Sequence, residues 1–192
     1  MNQKNDLFSR YFPLLSPYLN PVIVVLWRLG LGRLFNMLPW LTGRIMILKH
    51  NGRKTGNSIL TPVNYIEHEG LILCAASLGE SSDWYLTIMA NPQVEVWLPG
   101  GWYAGQGDVI EQPDEQLELL RTVLSARNIA ARITGIDLEL DDEEFAVAAQ
   151  EYKLIRITRP SPRTGVNGPG GLAWLWPFIL VVMMGLRPKR RR

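Results

Sequence analysis

The chain has 192 residues, of which 47% are hydrophobic and 20% are charged. This length suffices for one sizeable hydrophobic core and argues against a second complete domain. The formal net charge is only +2, so no overall basic field favours a nucleic-acid partner.

Cys74 is the single cysteine, which excludes an intramolecular disulfide and a cysteine-based zinc site. The two histidines, His50 and His68, have no cysteine or paired carboxylate at ligand spacing, so we expect no metal site. The first residues lack the pattern of a cleaved secretory signal. A reducing, cytoplasmic compartment fits these features.

Residues 1–41 are predicted to form an apolar N-terminal helical segment. Pro21 suits the first turn of a helix that continues through Trp27, and Pro39 would close it. Arg28 and Arg33 are the charges of this helix, and apolar residues occur nearly all round it. We favour a helix packed across the outside of a barrel. The alternative is a helix on a membrane surface, with its arginines reaching the head groups.

Residues 42–160 are predicted to form a small α+β barrel of six strands with intervening helices. The strand-like runs are Ile45–Leu48, Ile59–Ile66, Leu71–Ala76, Val94–Trp97, Trp102–Glu111 and Tyr152–Ile157. Asn51-Gly52 predicts a hairpin turn because both residues tolerate positive φ, and Glu69-Gly70 predicts another. Helices are predicted at Trp84–Ala90, around Leu117–Leu124, and after an acidic N-terminus at Asp141–Glu144.

The C-terminal part divides into a linker at 161–171 and an apolar-basic tail at 172–192. Leu172–Leu186 is uncharged but reaches only about 22 Å as a helix, short of a bilayer core of about 30 Å. Basic residues follow it at once. We therefore expect an interfacial or re-entrant tail on anionic lipid, which makes the protein peripheral at the inner face of the cell membrane. The alternative is a tail folded back over the N-terminal helix.

A basic turn, Gly52-Arg53-Lys54-Thr55-Gly56, is the first of several short motifs. Its glycines, two cations and hydroxyl are typical of an anion cradle. The spacing is not that of a P-loop. Further motifs follow in the order Thr61-Pro62, Ala75-Ala76-Ser77, Asp83-Trp84-Tyr85 and Ala90-Asn91-Pro92. Small residues in the third of them would let strand backbone approach a flat ring closely.

In this order, the motifs resemble the deazaflavin-dependent nitroreductase family over about residues 20–160. The resemblance implies a split β-barrel, like those of FMN-binding and pyridoxamine-phosphate-oxidase-like proteins, that binds coenzyme F420, an 8-hydroxy-5-deazaflavin. It also implies an oxidoreductase that transfers hydride to a lipid-soluble acceptor such as a quinone, an enone or a nitro-compound. An alternative from another class is a non-catalytic flavin-, haem- or lipid-binding barrel at the membrane.

The resemblance also implies the site residues. Arg53 and Lys54 would hold the phosphate and oligoglutamate arm of the cofactor, while Ser77 and Tyr65 are the candidate catalytic residues. The full set of candidate cofactor-binding residues is Arg53, Lys54, Thr55, Gly56, Thr61, Pro62, Val63, Asn64, Ala75, Ala76, Ser77, Leu78, Asp83, Trp84, Tyr85 and Thr87. Ile59, Leu60 and Leu78 stand where related sequences often carry basic residues, which keeps FMN open as an alternative cofactor. Residues 129–136 contain no tyrosine, where family quinone reducers present tyrosines, and predict an apolar lid.

Overall fold

A computed structural model describes residues 18–37, 43–76, 79–125, 138–165 and 167–185. Within them the strands are β1 Ile45–Asn51, β2 Ser58–Asn64, β3 Ile66–His68, β4 Leu71–Ala76, β5 Gln93–Leu98, β6 Gly101–Val109 and β7 Lys153–Arg163. The helices are α1 at 18–28, α2 Gly32–Phe35, α3 Asp83–Ala90, α4 Pro113–Ser125, α5 Asp142–Ala148 and α6 Trp176–Gly185. Short 3-10 turns occupy Gly79–Ser81 and Ala173–Leu175.

The strands form one antiparallel sheet in the order β2-β1-β5-β6-β7-β4-β3. The sheet curls so that Cα atoms of β2 and β4 come within 8 Å of each other although neither strand pairs with the other. The result is a barrel that is open along one seam. This arrangement confirms the predicted α+β split barrel.

The core inside the barrel follows from the alternation of side chains along the strands. On β1, Met46 and Leu48 point inward and are fully buried, beside Val96 of β5 and Ile155 of β7. Cys74 lies in the same core, as expected of a small apolar side chain. Helix α3 adds further apolar side chains to this core and so closes one end of the barrel.

Helices α4 and α5 cover the outer face of β4 and β7. Their buried residues, Leu120, Leu124 and Phe145, form a second cluster. Asp141 caps α5, since its carboxylate accepts a hydrogen bond from the backbone N–H of Glu144 at 2.8 Å. The predicted acidic helix N-terminus is thereby confirmed.

Helix α1 packs across the outside of the barrel, as the sequence favoured. Trp27 is only 2% exposed and contacts Ile47 of β1 and Trp97 of β5. The expected single helix as far as Pro39 is not observed, because the chain turns at Gly30, whose φ is +83°, and α2 begins at Gly32. Pro39 lies outside the described residues.

The tail also differs from the expectation. Strand β7 continues to Arg163, beyond the boundary at 160 that the composition indicated, because it pairs with β6 as far as Trp102. The chain then folds back on α1: the N–H groups of Gly170 and Leu172 donate to the carbonyls of Trp27 and Arg28. No helix in the described ranges is both long and apolar enough to cross a membrane. The fold-back alternative therefore describes the start of the tail.

Two local differences have simple causes. The first hairpin spans Gly52 to Asn57, and its positive φ falls on Gly56, at +67°, rather than on Asn51, which extends β1. Tyr65 interrupts the expected second strand and divides it into β2 and β3, which accounts for seven strands instead of six. At the next turn, Glu69 and Gly70 both take positive φ, as expected.

Candidate functional site

The seam of the barrel lies between β2 and the end of β4. Among the described strands, β2 pairs with β1 alone, so every second backbone group of β2 faces the seam. On the opposite side, β3 pairs with β4 only as far as Leu73, which leaves one edge of Ala75 and Ala76 outside the ladder. Two strand edges with hydrogen-bonding groups therefore border one groove.

The edge strand β2 has partly exposed side chains beside the seam and a buried side chain that anchors it in the core. Thr61, Pro62 and Asn64 are partly exposed, while Val63 is buried in the barrel core. A proline suits this position because an edge strand does not need its N–H for the ladder. Across the seam Ala75 is partly exposed and Ala76 is buried. The small side chains leave the backbone of both strands accessible to a flat ligand.

The basic turn lies at one end of the groove. Its backbone is largely committed to the turn itself, because the N–H of Gly52 donates to Asn57 and the N–H of Gly56 donates to Gly52, both at 2.8 Å. The expected cradle of backbone amides is therefore reduced. The side chains of Arg53, Lys54 and Thr55 are exposed and remain available for an anion.

Helix α3 faces this turn with its N-terminus. A guanidinium nitrogen of Arg53 lies 3.5 Å from a carboxylate oxygen of Asp83, and the Asp83 side chain is almost fully exposed. This contact is long and solvated, so it holds Arg53 only weakly. An incoming anion can compete for the guanidinium.

The other candidate residues of α3 are less accessible. Trp84 is partly exposed, whereas Tyr85 and Thr87 are both 3% exposed. The Thr87 hydroxyl donates to the backbone carbonyl of Asp83 at 2.8 Å. Burial raises the pKa of Tyr85, and Glu80 and Glu111 add to the shift. These two side chains belong to the barrel core in the structure.

Tyr65 follows the end of β2 directly, about 23 Å along the chain from Ser58 at a rise of about 3.3 Å per residue. It is 2% exposed and its N–H donates to the carbonyl of Arg44 at 3.0 Å. Beside it is a cavity of about 400 Å³. The cavity is lined by Asn36, Arg44, Tyr65, Glu67, Leu98, Pro99, Gly100 and Tyr103. The basic turn therefore precedes β2, and this cavity lies beside the residue that follows β2.

His50 was not among the residues that the sequence indicated. It continues the inward face of β1 after Met46 and Leu48 and is 3% exposed. Its Nε2 atom lies 3.0 Å from the hydroxyl oxygen of Thr61. Burial lowers the pKa of His50 to about 4, although the carboxylate of Asp83 opposes the shift. The period-2 alternation of β1 was the available signal for this position.

The structure therefore brings together the turn, β2, the end of β4 and the start of α3. Ser77 and Leu78 lie outside the described residues. Exposed cations at one end and accessible strand edges along the groove are the donors and acceptors that a planar, anionic cofactor requires. The residues present fit such a group.

A comparison with protein families finds a match over residues 28–141, more than half of the chain, to the model described as F420H(2)-dependent quinone reductase. This range contains the whole groove.

Among solved structures, the chain is similar to a conserved hypothetical protein from Mycobacterium tuberculosis, with 20% identity and a TM-score of 0.45, covering 67% of this chain and 81% of the other. It is also similar to the F420-H2 dependent reductase FDR-A, with 16% identity and a TM-score of 0.38, covering 59% and 92%. A third is the General Stress Protein 26 of Bacillus anthracis, with 15% identity and a TM-score of 0.42, covering 67% and 88%.

Proposed function

Since the chain belongs to the F420H(2)-dependent quinone reductase family, we propose that the groove between β2 and β4 holds coenzyme F420 and presents it to a lipid-soluble acceptor. The protein is an oxidoreductase, and its cofactor is F420. The family match over the residues that form the groove carries the proposal. Quinones are the acceptor class that the family description indicates. Enones and nitro-compounds are also electron-poor and apolar, and the open seam of the barrel would admit them.

Arg53 and Lys54 bind the anionic arm of the coenzyme. Both side chains are exposed at the end of the groove, and the weak contact of Arg53 with Asp83 is easily exchanged for a phosphate or carboxylate. Thr55 and Gly56 complete the turn around that arm. The Asp83 carboxylate is the partner that the anionic arm would replace.

The strand edges bind the ring system. Backbone groups of Thr61 to Asn64 offer donors and acceptors along one side, and Ala75 and Ala76 allow close approach from the other. Trp84 lies at the wall formed by α3. When bound, the reduced coenzyme supplies the hydride, and the protein supplies position and a site with restricted access of water.

The acceptor is placed by Ser77 and Tyr65. Tyr65 contributes to the cavity of about 400 Å³ at the far end of β2, which is large enough for a bicyclic quinone ring. Ser77 follows β4 directly in sequence. We propose that each hydroxyl group donates a hydrogen bond to an oxygen atom of the acceptor.

Titration of the purified protein with F420 and with FMN, followed by fluorescence, tests the cofactor site. We expect F420 to bind more tightly, because the two exposed cations match a longer anionic arm. Addition of menadione to the protein with reduced F420 should restore the fluorescence of oxidised coenzyme. Equal or inverted affinities, or tight binding without turnover, would contradict the proposed function.

We also propose that the enzyme works at an anionic membrane surface inside the cell. Helix α1 buries Trp27 but leaves Tyr18, Val22 and Val25 exposed. Helix α6 leaves an apolar surface in water all along its length, with Val181 70% exposed. The exposed apolar residues of α6 are Phe178, Leu180, Val181, Val182, Met183 and Met184. Patches of this kind mark interaction surfaces.

An anionic bilayer is the occupant that the charges favour. The sequence after α6 contains Arg187, Lys189 and three further arginines, each worth about 1 kcal/mol near anionic lipid. Trp174, beside α6, is exposed and suits the head-group level. A lipid-soluble acceptor would then be available where the enzyme binds.

Co-sedimentation with vesicles tests this surface without removing the tail. Val181→Glu with Val182→Glu should reduce binding to phosphatidylglycerol-containing vesicles several-fold, because two charges enter the apolar face. Val147→Glu is the control for a charge added elsewhere on the surface, since Val147 is 74% exposed but lies on α5. If the double variant sediments as the wild type does, the surface is not the membrane contact. If it instead abolishes a dimer seen without vesicles, the partner is a second copy.

A further inference from the structure

We infer that His50 is a positioning residue that fixes the hydroxyl of Thr61 as a hydrogen-bond donor toward an oxygen atom of the bound coenzyme. The inference rests on the proposed placement of F420 in the groove between β2 and β4. The His50 side chain lies inside the barrel and reaches the groove only through its contact with Thr61.

The position of His50 follows from strand pairing. In the β1–β2 ladder, His50 is opposite Ile59 and Leu48 is opposite Thr61, so His50 and Thr61 are diagonal neighbours on the inner face. His50 is buried while Thr61 is partly exposed beside the seam. The imidazole therefore supports the threonine from inside the barrel.

The surroundings of the second ring nitrogen of His50 indicate which of its two nitrogens carries the proton. Nδ1 of His50 is buried without a hydrogen-bond partner in the described part of the chain. A buried N–H without a partner is rarer and more costly than an unused lone pair. The tautomer with the proton on Nε2 is therefore favoured, and Nε2–H donates to the hydroxyl oxygen of Thr61.

Because His50 donates this hydrogen bond, the hydroxyl oxygen of Thr61 is its acceptor. A hydroxyl has one proton to donate, and a hydroxyl oxygen that already accepts from His50 keeps that proton for another partner. The side chain stands at the edge that borders the groove, so the available partner is an acceptor atom in the groove. Carbonyl and hydroxyl oxygens of the coenzyme belong to this chemical class.

Neutrality of His50 keeps the arrangement fixed in ordinary buffers. The lowered pKa, caused chiefly by burial, leaves the ring uncharged at neutral pH. The carboxylate of Asp83, which opposes this shift, lies 3.5 Å from the guanidinium of Arg53 in the basic turn. His50 is thus a hydrogen-bonding support and does not serve as a cation for the anionic arm.

A double-mutant cycle tests the inference through binding of F420 to the full-length protein. His50→Leu and Thr61→Val should each weaken F420 binding about tenfold, the effect of one hydrogen bond at about 1.4 kcal/mol per factor of ten. The double variant should lose about tenfold as well, because both changes remove the same contact. His50→Gln keeps a donor and Thr61→Ser keeps the hydroxyl, so both should stay within about threefold of wild type.

The thermal midpoint of each apoprotein separates support of the fold from support of the ligand. If His50→Leu lowers the midpoint but leaves F420 affinity unchanged, the pair is structural and the inference is wrong. Independent losses that multiply to about a hundredfold in the double variant would also overturn it. If His50→Leu does not fold, Thr61→Val decides the question by itself, and an unchanged F420 affinity in that variant overturns the inference. A wild-type protein that does not bind F420 would contradict the proposed function itself.

Discussion

The two faces of β1 support two regions of the molecule that differ in almost every property. The inward side chains end with His50, beside Thr61 and the seam. The outward side chain of Ile47 lies under Trp27 of α1, in the region that also receives the tail. The inner region has polar groups and exposed cations at its rim, whereas the outer region has an apolar surface facing water.

Strand β1 separates the region proposed to bind the cofactor from the region proposed to contact the membrane. Side chains on opposite faces of a strand do not contact each other, so a change on one face should leave the other region intact. The outer region would carry stability and surface contact, and the inner region would carry ligand affinity. Substitutions of matched severity can test whether the separation holds.

The largest expected effect lies on the outer face. Trp27→Ala should reduce the free energy of unfolding by about 3–5 kcal/mol, because it removes a large buried side chain between α1 and the sheet. Tyr18→Ala, on the same helix but 77% exposed, should cost little. Urea unfolding measures both values. A loss below about 1 kcal/mol for Trp27→Ala would mean that α1 does not pack as described, and a large change in the F420 affinity of the folded variant would break the separation.

The next effect lies on the inner face. Arg53→Ala with Lys54→Ala should weaken F420 binding by about 2–4 kcal/mol, because each cation makes a charge-assisted contact with the anionic arm. The loss should shrink at high salt. Arg28→Ala with Arg33→Ala removes the same charge from the outer region and should leave the dissociation constant unchanged. Equal losses for both pairs would reduce the role of the basic turn to general electrostatic attraction.

Low pH should reduce the free energy of unfolding through His50 on the inner face. The pKa of His50 is about 4 in the folded chain, below the ordinary value of 6.5 that applies when the chain is unfolded. The stability associated with the neutral ring is therefore complete above about pH 6.5 and is lost as the pH falls toward 4. By pH 5 the loss should be about 2 kcal/mol. Urea unfolding at pH 7 and pH 5 should show this difference in the wild type, and His50→Gln should lack that part of it.

The barrel could be predicted from the sequence because its signals are local. Alternating apolar residues located the strands, and Glu69-Gly70 located the turn between β3 and β4. The order of the motifs also indicated the family that the match over 28–141 shows. The pairing of strands that no hairpin joins, such as β1 with β5 and β4 with β7, had no such local signal. That the open edges of β2 and β4 border one groove depends on how far the whole sheet curls.

The details that could not be predicted depend on contacts between distant residues. The chain between Ser161 and Arg163 has a linker-like composition, yet it joins the sheet because β6 offers a free edge. His50 showed no partner in sequence, since Thr61 becomes its neighbour only through the hairpin. Likewise, composition alone favoured lipid for the whole tail, although its first residues cover the end of α1.

The smallest expected change in stability comes from the contact between the tail and helix α1. The last carbonyls of a helix have no partner within it, and at the end of α1 three of them are satisfied from the tail. The third is the carbonyl of Leu29, which accepts a hydrogen bond from the indole N–H of Trp176 at 2.9 Å. Trp176→Phe removes that donor but keeps an aromatic ring.

We expect Trp176→Phe to cost about 1 kcal/mol, which lowers the thermal midpoint by roughly 2–4 °C for a chain of this size. Trp174→Phe is the matched control, because the Trp174 ring is exposed and meets Phe178 edge-on, a contact that a phenyl ring can also make. Differential scanning calorimetry resolves the difference between the two variants. Equal midpoints would mean that the tail does not dock through Trp176, and the outer region would then consist of α1 alone. A lower midpoint for Trp176→Phe only, with unchanged F420 affinity, would place the start of the tail in the fold and leave the rest of α6 available to the membrane.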